Sequence, residues 1–157
     1  MAQSQLGIAE STSNFELADD GLTRNGITRY GQWYGNPYGK WNAMFVSFCL
    51  HYANINNVDI LKSAGAESMR LAWAKKYAYA PADGYTPEIG DLVFFDSDSD
   101  GSADSVGIIV FAGEDVLQIV LGDSNNKVEK IHIDISDEIL GYGTGKTKKE
   151  AEKRLKE

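Results

Sequence analysis

The chain has 157 residues, 43% of them apolar and 24% charged, with a net charge of −8 and a single cysteine. That length supports one domain with a sizeable core, while the lone Cys49 excludes an internal disulfide and a multi-cysteine zinc site. Residues 143–157 carry +3, which leaves −11 on the rest and argues against nucleic acid as a partner.

No apolar run approaches the roughly 18 residues of a membrane span, so no membrane partner is expected. The opening MAQSQLGIAESTSNF has no basic region followed by an apolar stretch, so no secretion signal is read in it. Residues 4–11 are weakly amphipathic and predict a short first helix ending near Gly7 or Ser11. Residues 14–25 read as polar and irregular. Residues 28–41, TRYGQWYGNPYGKW, alternate glycines and aromatics and read as a loop able to line a groove. Tyr30, Trp33, Tyr34, Tyr38 and Trp41 are candidate glycan- or peptide-contacting residues there, although aromatic loop residues commonly pack on their own domain.

The period becomes helical at Asn42, with Val46, Cys49, Leu50 and Ala53 at i, i+3, i+4 and i+7. A second helix is predicted over residues 66–79, ended by Pro81 and Gly84. The period then changes to two. Residues 90–96, 105–113, 114–123 and 127–135 read as strands bounded by Gly, Asp or Asn, and 137–143 as a last short one. Helices followed by strands predict an α+β domain over residues 1–143, with N-terminal helices packed on an antiparallel sheet. Residues 144–157 are Lys- and Glu-rich, follow a glycine-rich hinge and read as an appended helical tail of idealised, engineered-looking composition. GTGKT at residues 143–147 is one residue short of phosphate-loop spacing.

Three segments occur in one order: WNAMF at residues 41–45, DSVG at 104–107 and VLGD at 120–123. Together with their surroundings, from about Leu6 to Gly143, they resemble the CHAP family, the cysteine, histidine-dependent amidohydrolases/peptidases. The resemblance implies a papain-like fold and an ancestry in peptidoglycan peptide cleavage. It also implies bacterial cell-wall peptide as a partner, a secreted or cell-wall location and, in some members, calcium. In that family W-C-A-x-F sets a cysteine at a helix start, where N–H groups and the helix dipole favour thiolate. A histidine in D-H-V-G is the base, and I-E-G-N supplies its orienting residue.

This chain departs at each of those positions: Asn42 for the cysteine, Ser105 for the histidine, and Leu121 and Asp123 in the third motif. The reading is therefore a catalytically inactive CHAP-like protein, a degenerate or engineered stable scaffold, expected to be monomeric. Asn42 is expected to cap its helix, an exchange of reactivity for about 0.5–2 kcal/mol of stability. Leu121 is expected to pack better than a buried carboxylate. A non-catalytic module gripping cell-wall peptide and a hydrolase with a relocated site remain open as alternatives.

For a relocated site the remaining groups are few. Cys49 falls on the apolar side of its helix and reads as a core residue. His51 reads as structural or surface-exposed, and His132, between Ile131 and Ile133, as the outer face of a strand. Ser105 and Asp123 would need a base brought from elsewhere. DSDSDG at residues 96–101, with Asp104 after it, matches the start of a calcium loop. Asp96, Asp98, Asp100 and Asp104 are thus candidate calcium ligands. An EF-hand is excluded because its twelfth position is Gly107 rather than Glu, and the competing reading is a polar hairpin turn.

Overall fold

The computed structural model describes residues 1–53, 62–76 and 78–144. The predicted tail lies outside the described residues apart from Thr144, which is buried at the end of the last strand.

The opening residues form one 3-10 turn, Ala2–Gln5, in place of a longer helix. Residues read as irregular hold a two-stranded ribbon, β1 (Phe15–Leu17) antiparallel to β2 (Arg24–Gly26). Its connection is set by Asp20, whose carboxylate accepts the N–H groups of Leu22 and Thr23 at 2.8 Å each, a turn that needs no apolar pattern. The aromatic stretch corrects the loop expectation: Arg29–Tyr34 is a helix, α1. Thr28 caps it by accepting the Gly31 N–H at 2.9 Å, and Gly35 ends it at φ 100°. Gly31 inside it is obligatory, because a Cβ would come within 2.6 Å of the Asn36 carbonyl oxygen.

Helix α2 spans Asn42–Tyr52. Ala43, Met44, Phe45, Val46, Ser47, Cys49 and Leu50 are all buried, so it is a central helix covered nearly all round. Ala53, expected on the apolar stripe, ends it and is exposed. Helix α3 is Ala66–Lys76, shorter than expected, because Ala78–Pro81 forms β3 and pairs with the last strand. The remaining strands are β4 (Leu92–Phe95), β5 (Ser105–Ala112), β6 (Val116–Ser124), β7 (Lys127–Asp134) and β8 (Ile139–Thr144). They form one antiparallel six-stranded sheet in the order β3-β8-β4-β5-β6-β7. The protein is thus α+β, as its period change implies.

Both sheet faces are covered. On one, Val106, Val120 and Phe94 meet Phe45, Met44 and Trp73 of the helices. On the other, Val93, Ile109, Leu117, Ile119, Ile139 and Tyr142 form a second cluster, against which Tyr85 leans 5.4 Å from the Tyr142 ring. The central β4 therefore reads LVFF with no polar alternation. Gly122 lets α2 approach β6, since a Cβ there would collide with Phe45. The β7 edge is partly closed by the N-terminal segment: Gly7 donates to the Val128 carbonyl at 3.0 Å and Val128 donates to that of Ile8 at 2.8 Å.

Candidate functional site

The three motifs meet where the start of α2 faces the start of β5 and the end of β6. Asn42 is the first helical residue rather than the cap. Trp41 holds the cap position and offers no side-chain cap bond. This corrects the capping expectation, and the amide does something else. Its Nδ2 donates to the Gly122 carbonyl at 2.9 Å, and its Oδ1 accepts the Val106 N–H at 2.9 Å. Ile108 pairs with Val120, a register that sets Val106 opposite Gly122. The Asn42 side chain thus continues the β5–β6 ladder where direct pairing stops, acting as one extra peptide group. Both ends of the amide are occupied, and an amide is no nucleophile near neutral pH.

Asp123 sits beside it at φ 56°, a left-handed conformation uncommon for a residue with a side chain. Its Oδ2 accepts the Trp41 main-chain N–H at 3.1 Å, and the Trp41 indole N–H donates to Glu10 Oε2 at 3.1 Å. One tryptophan therefore orients two carboxylates. Burial raises the Asp123 carboxyl above the ordinary carboxylate range; the Trp41 N–H works against this, Glu10 adds to it and Lys40 opposes it.

Ser105 opens β5 opposite Phe95, and its hydroxyl has no hydrogen-bond partner among the described residues. It shares a cleft of about 310 Å³ with Asn42, Ala43, Gly65, Ala66 and Asp123. Leu121 points to the other side of the sheet and packs with the second apolar cluster. The Leu121 expectation agrees with this environment.

No histidine reaches Ser105. His51 lies in the last turn of α2, roughly 13 Å along the axis from Asn42, with Trp33 at 5.3 Å and Tyr52 at 4.9 Å between ring centres. Its Nδ1 is buried and has no partner among the described residues. His132 is exposed on β7 opposite Gln118, five residues of β6 away from Asp123. Cys49 is 3% exposed, and burial pushes its thiol up to about 12, so it carries no thiolate at neutral pH.

The proposed aromatic wall is corrected for two of its five members. Tyr30 and Trp41 are fully buried and stack at 5.2 Å in the core, with Phe45 edge-on to Tyr30 at 5.1 Å. Trp33, Tyr34 and Tyr38 are half-buried. In the acidic loop, ligand oxygens of Asp96, Asp98 and Asp104 lie within 4.8 Å of one another and could hold a metal ion. Asp100 is outside that group; its Oδ1 accepts the Ser102 N–H at 2.7 Å. Asp96 accepts the N–H groups of Asp100 and Gly101, while the Ser97 hydroxyl and N–H hold the Asp104 carboxyl below its ordinary value.

Sequence reasoning missed Glu10, Arg24 and Lys40. They line a second lobe of about 250 Å³ that shares Asp123 and Lys40 with the first. No spacing links residue 10 to residue 123; Trp41 makes the link only in the fold, by its indole N–H to Glu10 and its main-chain N–H to Asp123. Comparison with family models finds no match to this chain, and comparison with curated proteins finds no significant relative.

Proposed function

We propose that this chain is a papain-like, CHAP-like domain whose hydrolytic centre has been replaced by structural side chains, leaving a stable fold with a cleft and no cutting machinery. The observation that carries this reading is the Asn42 amide, committed at both ends to β5 and β6 where the family's thiolate would stand. Two further facts support it: Ser105 has no histidine beside it, and the one cysteine is a buried thiol.

The test is hydrolysis of purified peptidoglycan and turbidity loss of bacterial cells. The expected result is turnover equal to a buffer control, and any excess that survives repurification overturns the reading. A complementary variant joins Asn42→Cys, Ser105→His, Leu121→Glu and Asp123→Asn. It should be less stable and regain some hydrolysis; a well-folded, wholly inert variant would count against the alignment of the three motifs.

A second reading, a module that holds cell-wall peptide without cleaving it, is favoured by the open cleft beside Asn42 and Ser105. Sedimentation with purified peptidoglycan separates the two. Enrichment over an unrelated acidic protein supports the module, and its absence leaves the bare scaffold.

A further inference from the structure

The lobe next to the Asn42 cleft has a charge pattern that the scaffold reading does not use. Glu10, Arg24, Lys40 and Asp123 line it, with Tyr38 and Asn126 between them. Two cations and two carboxylates therefore converge on one hollow in a chain of net charge −8. Opposite charges so close would ordinarily pair across the surface. They do not: the ion pairs within 4 Å among the described residues are Arg70–Glu67 and Lys127–Glu129.

Three of the four groups are engaged by another contact. Trp41 occupies one oxygen of Glu10 and one of Asp123, and the second oxygen of each has no hydrogen-bond partner among the described residues. The Arg24 guanidinium rests 4.6 Å over the Phe15 ring, which steadies it while leaving its N–H groups without an acceptor. Lys40 sits on the short link into α2 and faces both lobes. Carboxylates fixed from behind, with Arg24 steadied and the exposed Lys40 beside them, form a two-sign receptor that is preorganised on all but its lysine. A hollow of about 250 Å³ is smaller than a drug-sized pocket, so the occupant must be small.

We propose that this lobe binds a small zwitterion, a free amino acid or short peptide. Its ammonium group is received by Glu10 and Asp123, and its carboxylate by Arg24 and Lys40. The site is independent of hydrolysis, because it needs neither Asn42 nor Ser105.

The experiment is a heteronuclear NMR titration of the full chain, at low salt and neutral pH, with L-alanyl-L-alanine. The parallel arms are its N-acetylated form, its C-terminal amide and free L-alanine. Saturable shifts at the amides of Arg24, Lys40, Trp41 and Asp123 are expected with the free dipeptide. Each blocked form should bind about ten-fold more weakly, the loss of one charge-assisted contact. Asp123→Asn and Lys40→Gln should each weaken binding by a similar factor in proteins with otherwise unchanged spectra. Alanine binding as tightly as the dipeptide would assign the site to single amino acids. Blocked peptides binding as well as the free one, or no saturable shift at tens of millimolar, would overturn the proposal. Recovered peptide is checked for cleavage in the same samples: cleavage counts against the non-hydrolytic reading, whereas missing saturation counts against this one alone.

Discussion

The side-chain amide of Asn42 and the carbonyl of Gly122 meet at 2.9 Å across the junction of α2 and β6. With the matching 2.9 Å bond from the Val106 N–H, that contact makes Asn42 part of the sheet as much as of the helix. Asn42→Ala leaves a carbonyl and an N–H without partners in a half-buried place. The expected loss is about 1–3 kcal/mol in chemical denaturation. Asn42→Asp keeps the acceptor, loses the donor and adds a charge near Asp123. It should be destabilised at neutral pH and recover part of the loss on acidification. Equal stability of Asn42→Ala and the parent would remove the structural role assigned to this residue.

Asp123 gives a pH signature. Its folded-state carboxyl is raised, so the unfolded chain loses its proton first as pH increases. The contribution of Asp123 to stability should therefore fall as pH rises from the ordinary carboxylate value through the raised native value, which the comparison with Asp123→Asn isolates from the other carboxyls. Asp123→Asn retains a carbonyl oxygen for the Trp41 N–H and removes the buried charge. It should melt a few degrees above the parent at neutral pH and together with it near about pH 3, below the ordinary value. A difference in melting temperature that does not change with pH would contradict the burial assigned to this carboxyl.

Gly122 is tested by one methyl group. In Gly122→Ala the new Cβ collides with the Cβ and ring of Phe45, on a helix that cannot retreat from its own core. Overpacking of this kind costs about 1–3 kcal/mol. Gly122→Ala with Phe45→Leu should recover part of the loss, and a neutral single substitution would mean that α2 lies farther from β6.

Cys49 should behave as an inert thiol. At 3% exposed and with its thiol pushed up to about 12, it should react with a disulfide reagent at neutral pH only as fast as the protein opens, and at once in denaturant. Rapid labelling of the native protein would reopen the case for a relocated cysteine nucleophile.

The acidic loop is checked by calcium alone. If Asp96, Asp98 and Asp104 hold the ion, melting temperature should rise with calcium concentration, and Asp98→Asn should abolish the rise. Asp98 is the mildest probe, because it accepts one long N–H bond, from Asp100 at 3.2 Å, whereas Asp96 accepts two N–H groups and Asp104 accepts both the N–H and the hydroxyl of Ser97. A melting temperature that ignores calcium would leave the three carboxylates a purely local role.

The strands from residue 90 onward were legible because they are short apolar and β-branched runs that end at Asp, Asn or Gly; β7 alternates, while β4, covered on both faces, reads as a continuous apolar run. The α2 helix was legible from its apolar run. Three elements were hidden for distinct reasons. Helix α1 has Gly31 at its centre, a residue required by the Asn36 carbonyl and read as a breaker in sequence. The β1–β2 ribbon rests on the Asp20 side chain and an Arg24–Phe15 contact, neither of which creates a period. Strand β3 continues the helix-forming composition of α3 and becomes extended only because β8 offers it partners. The motif positions of the site were legible by order alone. The true partners of Asn42 are main-chain groups of Val106 and Gly122, which every sequence possesses and none advertises.

One consequence concerns the N-terminal segment that leans on β7. The outermost strand of the sheet is shielded at Val128 by Gly7 and Ile8. Farther along it bears Lys130, His132 and Asp134 facing water. Those charges discourage two molecules from zipping rim to rim, and the leading residues act as a splint over the stretch the charges do not guard. Clipping the chain before Glu10 would bare that stretch. The shortened protein should then gather into strand-paired clusters well before its core gives way.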